Sequence, residues 1–297
     1  TVNGQYEGVG VSVSKIDNSI EIVAIFKDSP ADKAGLKPGD KIIKVNNKDV
    51  SGMELDDVVK LIKNKKKVNI IVKRDNKEKE ITLKQNTVVI PSVSSRIVES
   101  NNKKVGVLNV SIFAANTYKQ FKNKLDDLEN KKIDSLIIDV RQNSGGHLDQ
   151  VSKILSLFMK QDKVIYQIKT KKGVEKYYST GKKSKNYNVV VLIDNGSASA
   201  SEILAAAMNE SYGATLIGEK TYGKGTVQKE YMLSSGASIK YTVEKWFTPK
   251  GKSINGKGIS PTIEVALSDE YTNNPTDEND NQLQEAIKFL TEEKKTN

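Results

Sequence analysis

The chain has 297 residues, of which 47 are lysine or arginine and 37 are aspartate or glutamate, so its formal charge is +10; it contains no cysteine and one histidine. The lack of cysteine excludes disulfides, thiolate metal sites and cysteine nucleophiles, and a single histidine excludes a multi-histidine metal centre. With 37% hydrophobic and 28% charged residues, the composition is that of a globular protein with a core, and the length suits two domains.

The positive charge is spread in short lysine groups, such as Lys65 to Lys67 and Lys182 to Lys185, without interleaved aromatic residues. This favours solvated surface over a nucleic-acid site, and attraction to an anionic membrane or cell wall is the simpler interpretation. No run of about 18 apolar residues occurs. The first residues, Thr1 to Gly4, lack the basic and apolar regions of a signal peptide, so an exported protein with this sequence would be a trimmed form.

Residues from about Tyr6 to Leu83 alternate short apolar runs with turns, which predicts a small, strand-dominated domain. Apolar residues at helical spacing predict a helix between Leu55 and Ile62, and Ser29 to Asp40 is rich in turn residues. The predicted strands are Gly8 to Val13, Ile20 to Ile25, Lys41 to Val45, Val68 to Val72 and Glu80 to Leu83.

After Val88, strand-like runs alternate with helical stretches, which predicts an α/β domain with ββα-type units. The residues around Pro91 are interpreted as a linker, and the polar, acidic segment from Ser268 to Asp280 as a mobile loop. The predicted strands are Val105 to Val110, Leu136 to Val140 and Val189 to Ile193, and the predicted helices are Tyr118 to Leu128, Leu148 to Met159, Ser201 to Met208 and Gln282 to Glu292.

Three turns in this second half carry residues with catalytic chemistry. Ser199 and Glu202 follow a strand and match a capping box, so a helix cap is one interpretation. The same turn would place Ser199 at the positive end of a helix, beside free N–H groups that can hold an oxyanion. Lys224 stands between two glycines, which suits either an exposed turn or a side chain that reaches into a crowded site. Arg141 to Gly146 is a further strand-to-helix turn, either structural or facing an anion.

The first half also carries a motif that resembles the PDZ family: Ser29-Pro-Ala, then Ala34-Gly-Leu-Lys-Pro-Gly-Asp-Lys-Ile42. The resemblance implies that backbone N–H groups of a glycine-rich loop bind the free carboxylate of a peptide, which adds a strand beside the next one. The helix from Leu55 to Ile62 would be the opposite wall of the groove. An alternative is that the glycines only ease the start of a strand. The residues of the implied loop are Gly8, Val9, Gly10 and Val11.

The second half resembles the carboxyl-terminal processing proteases, also called tail-specific proteases, which are PDZ-bearing serine endopeptidases with a Ser/Lys dyad. The matching motifs are Asp139 to Gly146, Gly196 to Glu202, Gly218 with Thr221 to Gln228, and Phe247 to Pro261. We therefore expect an α/β protease core of ClpP/crotonase-like ββα units and a small, mainly-β PDZ domain. The expected division is a PDZ domain over 1–87, the core over 88–267, and an acidic loop with a C-terminal helix over 268–297. That helix resembles the part that assists dimer assembly in relatives, but a monomer whose helix caps its own core is an equal alternative.

The resemblance also implies roles for individual residues. A serine hydroxyl needs a base to take its proton, and a lysine serves only when neutral, which at pH 7 is roughly one molecule in a few thousand at its reference pKa of about 10.4. We therefore expect the lysine to be buried among small apolar residues. The implied residues are Ser199 as nucleophile, preferred over Ser197 and Ser201; Lys224 as general base; Gln228 as its support; and Ala200 with Gly145 or Gly146 as oxyanion donors.

His147 is the one rival base, although the family does not use this position and a surface histidine at a helix start is the simpler interpretation. Two departures from the family pattern, Ser144 and Pro261-Thr262, affect local turns rather than the dyad. We expect an extracytoplasmic bacterial endopeptidase, without metal or other cofactor, that cleaves unfolded or flexible proteins after PDZ recognition of their free C-termini. The alternative is a catalytically silent PDZ peptide-binding scaffold.

Overall fold

The computed structural model describes residues 3–63, 65–170, 173–232 and 238–292, with side chains outside 227–243. The strands are β1 Gln5–Gly8, β2 Val11–Ile16, β3 Ser19–Ile25, β4 Lys41–Val45, β5 Lys48–Asp49, β6 Lys67–Arg74, β7 Lys77–Lys84, β8 Asn86–Val89, β9 Val93–Ser100, β10 Lys103–Val110, β11 Ser135–Asp139, β12 Val164–Thr170, β13 Gly173–Tyr178, β14 Asn188–Ile193, β15 Thr215–Gly218, β16 Thr226–Met232, β17 Ser238–Phe247 and β18 Ile263–Glu264. The helices are α1 Pro30–Lys33, α2 Leu55–Ile62, α3 Thr117–Asn130, α4 Leu148–Phe158, α5 Ala200–Ala207, α6 Asp269–Asn273 and α7 Asn281–Thr291, and a π-helical turn, Met208–Tyr212, follows α5.

The chain forms two compact units, with the boundary between Pro91 and Ser92. In the first unit, β2, β3, β4, β6 and β7 form an antiparallel sheet in that order, β5 pairs with β4, and β1 pairs with β8. Val68, Ile70 and Val72 alternate along β6 and are buried with Val58 and Ile62 of α2. This period of two places one face of the strand in the core, so the predicted strand-dominated domain is confirmed.

A buried ion pair fixes one edge of this first unit. Arg74 donates to both carboxylate oxygens of Asp40, at 2.6 and 2.7 Å, and Asp40 is almost completely buried. Burial raises the pKa of Asp40, but the hydrogen bonds from Arg74 and from the Lys37 N–H outweigh it, so the pKa lies below its ordinary value. The pair is bidentate, which is the geometry that makes an arginine–carboxylate contact strong.

The second unit is built on a six-stranded sheet in the order β18-β15-β14-β11-β10-β9. Neighbouring strands are parallel except for the antiparallel pair β9 and β10. Apolar residues of α3, α4 and α5 pack on one face of this sheet, and those of α7 on the other. Because helices cover both faces, the central strands are apolar throughout. A second sheet, β13-β12-β17-β16, is antiparallel.

The prediction of a mobile loop from Ser268 to Asp280 is wrong. The Ser268 hydroxyl accepts a hydrogen bond from the Tyr271 N–H and begins α6. Asp280 is buried and caps α7 by accepting from the Leu283 N–H at 3.0 Å. The predicted linker at Pro91 is short, since only three residues separate β8 from β9. In the described parts of the chain, no helix is long and apolar enough to cross a membrane.

Candidate active site

Two turns lie side by side at the carboxyl ends of β11 and β14. These strands are parallel neighbours, so the turns that follow them emerge at the same edge of the sheet. The Ala198 N–H donates to the Asn143 carbonyl oxygen at 3.0 Å, and the Gln142 N–H donates to Asp194 Oδ1 at 2.9 Å. The predicted serine turn and the predicted glycine turn are therefore joined by hydrogen bonds.

Asn143 shapes the glycine turn from inside. Its side chain is fully buried, donates to the Val110 carbonyl oxygen at 2.8 Å and accepts from the Gly145 N–H at 2.9 Å. No feature of the sequence pattern singles out this asparagine. Because the Gly145 N–H is already bonded, Gly146 is the member of the glycine pair whose N–H can serve a ligand.

The two glycines leave room for the serine turn and for Phe113. Gly145 has φ +105°, and a Cβ built on it would lie 2.9 Å from Ser199 Cβ and 3.1 Å from Ala200 N. Gly146 has φ +137°, and its Cβ would lie 2.2 Å from the Phe113 carbonyl oxygen. Only glycine fits both the backbone conformation and the contact. The structure thus brings the predicted oxyanion turn into contact with the predicted nucleophile.

Two N–H groups near Ser199 have no acceptor among the described residues: those of Ala200 and Gly146. Ala200 is the first residue of α5, so its N–H has no partner within the helix. The amino end of a helix also carries a partial positive charge. Together these features favour a negatively charged oxygen beside Ser199.

Ser199 differs from the serines on either side of it. Its backbone has φ 55° and ψ −115°, a conformation that costs about 1–3 kcal/mol in a residue with a side chain and that clusters at active sites. Ser199 is partly exposed, whereas Ser197 and Ser201 are fully buried. Their hydroxyls donate to the Val140 and Asn143 carbonyl oxygens at 2.8 and 2.7 Å. Of the three, only Ser199 can present its hydroxyl to a substrate.

Glu202 connects the serine turn to the predicted lysine segment. A capping box joins Ser199 to Glu202, and Glu202 Oε2 accepts from the Ser199 N–H at 2.9 Å. The same oxygen accepts from the Lys224 N–H at 2.8 Å. The main chains of Ser199 and Lys224 therefore meet at one carboxylate oxygen.

The segment around Lys224 is packed through its main chain. Cβ atoms on Gly223 and Gly225 would lie 2.8 and 2.7 Å from the N atoms of Gly258 and Asn255. The glycines that flank Lys224 therefore allow close contact with the turn at 254–258. The Trp246 indole N–H donates to the Lys224 carbonyl oxygen at 3.0 Å.

The expected burial of the Lys224 side chain is not found, because Lys224 is exposed. The contacts that hold this segment are made by its backbone. They do not enclose the amine of Lys224 among small apolar residues. Gln228 lies in β16, where it pairs with Thr242 of β17. Its side chain falls outside the described residues, so its support of the lysine stays a prediction.

His147, the rival base, is the N-cap residue of α4 and is partly buried. Its N–H donates to the Phe113 carbonyl oxygen at 2.7 Å. Together with the bond from the Phe113 N–H to the Gly145 carbonyl oxygen, this bond pairs the glycine turn with Phe113. His147 thus has a structural part in holding the glycine turn. Within the described residues, no group of three His, Asp or Glu side chains is arranged to hold a metal ion.

Arg141 anchors the start of the glycine turn. Its guanidinium donates to both carboxylate oxygens of Asp280, at 2.9 and 2.7 Å, to Gln282 Oε1 at 2.9 Å, and to Asp139. Burial lowers the pKa of Arg141, but the carboxylates of Asp139 and Asp280 outweigh this and raise it. The turn is therefore tied to the first residues of α7.

In the first unit, the predicted carboxylate loop and α2 border one cavity of about 90 Å³. The Val9 and Gly10 carbonyl oxygens accept from the N–H groups of Ala31 and Phe26, at 2.9 and 3.0 Å. Burial raises the pKa of Tyr6, and a hydrogen bond from the Gly10 N–H opposes the rise. The residues that line the cavity are Tyr6, Glu7, Gly8, Val9, Val11, Val13, Val59, Ile62, Lys63 and Gln85.

Comparison with known proteins identifies the family. The model of peptidase family S41 matches residues 104–265, and that of the PDZ domain matches residues 1–73. The chain belongs to peptidase family S41. This S41 chain is 39% identical over 97% of its length to the carboxy-terminal processing protease CtpB of Bacillus subtilis strain 168, and 38% identical over 91% to CtpA of the same organism. It spans 60% and 58% of the length of these relatives.

Solved structures share the fold of this S41 chain. The photosystem II D1 C-terminal processing protease superimposes with a TM-score of 0.56 at 24% identity, covering 98% of the chain and 78% of that protein. Mature CPAF superimposes with a TM-score of 0.51 at 12% identity, covering 97% and 82%. The family and the PDZ domain predicted from the sequence motifs are confirmed.

Proposed function

We propose that the chain is a serine endopeptidase that cleaves unfolded or flexible proteins after its PDZ domain has bound their C-terminus. The observation that carries this proposal is the surrounding of Ser199. It is the one accessible serine of its turn, has a strained backbone, and lies beside the unpartnered N–H groups of Ala200 and Gly146. The relatives named carboxy-terminal processing proteases support the same activity.

In the proposed mechanism, Ser199 Oγ attacks the carbonyl carbon of the scissile peptide while the neutral amine of Lys224 takes its proton. The carbonyl oxygen becomes an oxyanion that accepts from the Ala200 and Gly146 N–H groups, each worth about 10²–10³ in kcat. The lysine then protonates the leaving amine, and water hydrolyses the acyl-enzyme by the same route. Gln228 supports the lysine amine without adding a charge.

The exposure of Lys224 places a condition on this mechanism. An exposed lysine is charged at neutral pH and is a poor base. Bound substrate covers the site, excludes water and so favours the neutral amine. We therefore expect Lys224 to act as a base only in the complex in which a substrate chain covers it.

The first unit supplies the recognition step. The carboxylate of the substrate accepts hydrogen bonds from the backbone of Gly8 to Val11. The side chain of its last residue enters the neighbouring cavity. Because Val11, Val13 and Ile62 line a space of only about 90 Å³, we expect a preference for a small apolar C-terminal residue.

We also propose the finer assignments that accompany this function. The unit β9-β10-α3 and the parallel strands after it support a ClpP/crotonase-like core over 88–267, with the PDZ domain over 1–87 and a C-terminal segment over 268–297. The dispersed +10 charge supports action outside the cytoplasm near an anionic envelope. The apolar residues of the C-terminal helix pack on the sheet of their own core, which supports the alternative in which this helix caps the core of a monomer over a homodimer.

Cleavage of casein by wild type, Ser199→Ala and Lys224→Ala tests the proposal. We expect both variants to lose activity and His147→Ala to keep it. Equal activity of all four proteins would refute the dyad. Wild type that stays inert even with added C-terminal peptides would favour the peptide-binding scaffold. A histidine base would make activity fall as pH drops through about 6.5, whereas a lysine base gives a higher midpoint.

A further inference from the structure

Glu202 is a fully buried carboxylate with four hydrogen bonds. Oε1 accepts from the Thr221 hydroxyl at 2.6 Å and from the Gly223 N–H at 2.8 Å, in addition to the two bonds that Oε2 accepts from Ser199 and Lys224. An ionised carboxylate has about four lone-pair sites, and here every one is used. A buried charge is stable only when it is bonded in this way.

These four bonds join two parts of the chain that are far apart in sequence. The Ser199 and Lys224 nitrogens are bonded to one oxygen, at 2.9 and 2.8 Å, so they lie within about 6 Å of each other. The bonds to Thr221 and Gly223 fix the rotation of the carboxylate, and with it the direction from which the lysine segment approaches. General-base catalysis requires an amine within about 3 Å of the hydroxyl, so the separation of these two main chains limits the reaction.

The donors on Glu202 are neutral. Three are backbone N–H groups and one is a hydroxyl, and together they fill the oxygens that would otherwise attract an ammonium group. The arrangement therefore holds the lysine segment through its backbone and leaves the side chain of Lys224 unpaired by this acid.

We propose that Glu202 is a positioning residue of the peptidase reaction: its buried carboxylate sets the distance and orientation between the Ser199 turn and the Lys224 segment. This inference rests on the proposed function, in which Ser199 and Lys224 react. Glu202 itself touches neither substrate nor the reacting atoms. A neutral side chain of the same shape cannot replace it, because the amide group of glutamine would direct its own N–H bonds at two of the four donors.

The test compares Glu202→Gln, Thr221→Val and Thr221→Ser in the full chain. Thr221 donates to Glu202 and accepts from the Ile259 N–H at 2.8 Å; valine loses both bonds and serine keeps both. Thr291→Val is the matched control, since it removes a buried hydroxyl that donates to the Ile287 carbonyl oxygen on α7. Labelled casein gives kcat and KM, measured well below each variant's melting temperature.

We expect Glu202→Gln to lower kcat by at least 100-fold and Thr221→Val by about 10-fold, with KM changed less than threefold. Thr221→Ser and Thr291→Val should keep kcat within threefold of wild type, although Thr291→Val should melt earlier. If folded Glu202→Gln keeps wild-type kcat, the positioning role is refuted. If Glu202→Gln does not fold, equal kcat values for Thr221→Val and Thr221→Ser refute it instead. If wild type is inactive, or if Lys224→Ala is active, the proposed function is refuted and this inference fails with it.

Discussion

The exchange Gly145→Ala probes the contact between the glycine turn and the proposed nucleophile. The added Cβ would lie 2.8 Å from the Ala198 carbonyl oxygen and 2.9 Å from Ser199 Cβ, whereas ordinary van der Waals contact begins at 3.4 Å. The two turns must therefore separate by about half an ångström. That displacement moves the Gly146 N–H away from the position of the oxyanion.

Two effects of different size are expected. The positive φ of +105° destabilises an alanine by about 1–3 kcal/mol. Loss of one oxyanion donor lowers kcat by about 10²–10³, or about 2.7–4 kcal/mol in the barrier. We therefore expect kcat of Gly145→Ala to fall by about 100-fold, with KM changed less than threefold.

The matched control is Gly213→Ala. Gly213 follows the π-helical turn with φ +97°, and a Cβ there would meet nothing within 4 Å. It therefore carries the backbone strain of Gly145 without the contact. Thermal melts should show a loss of stability in both variants, larger in Gly145→Ala because of its added contact, and steady-state cleavage of labelled casein should show lower kcat in Gly145→Ala alone. Equal kcat in the two variants would refute the reasoning.

Three other exchanges test separate contacts in the two units. Arg141→Ala leaves two buried carboxylates without a cation and should cost about 3–5 kcal/mol in urea unfolding, with little recovery in Arg141→Lys. The pKa of Asp40 is lower in the folded protein than its ordinary value of 3.8. The stabilisation that Arg74 gives is therefore fully present above pH 3.8, and it is lost as the pH falls through the lower pKa of the folded state. The unfolding free energy of wild type should thus fall more steeply below pH 4 than that of Asp40→Asn, which is less stable at pH 7. Trp246→Phe removes the hydrogen bond to the Lys224 carbonyl oxygen and should lower kcat on casein roughly three- to tenfold.

The regular elements follow from local patterns because burial repeats along them. The helix predicted from Leu148 to Met159 is α4, Leu148–Phe158, and the strand predicted from Leu136 to Val140 is β11, Ser135–Asp139. The strand predicted from Gly8 to Val13 is wrong in one respect: β1 ends at Gly8 and β2 begins at Val11. Gly10 has φ +83° and lies tightly against Ser29. The sequence does not reveal this contact, because the alternation of apolar residues continues through the glycine.

The misassigned loop shows where local patterns fail. Asp280 belongs to a polar, acidic stretch, and a local sequence pattern predicts that such residues are exposed to solvent. It is buried because Arg141, 139 residues earlier, donates to it. A pair of opposite charges at that separation leaves no periodic trace, so only the folded chain reveals it.

The sequence motifs name candidate residues but not the hydrogen bonds that connect them. Motif spacing points to Ser199 and Lys224, but it assigns Glu202 only to the cap of its own helix. Its other partners are 19 to 22 residues away, on the lysine segment. The exposure of Lys224 also has no local signal, because it results from how the backbone around it packs on the turn at 254–258.

The link between Arg141 and α7 has a consequence for the newly made protein. Asp280, the partner of Arg141 at the start of the glycine turn, is synthesised 139 residues after it, which at 5–20 residues per second takes between about 7 and 30 s. During that interval the bonds of the glycine turn to Val110, Asp194 and Phe113 can form, but Arg141 lacks the Asp280 carboxylate. The guanidinium of Arg141 therefore obtains its full set of hydrogen bonds only after the start of α7 has been synthesised.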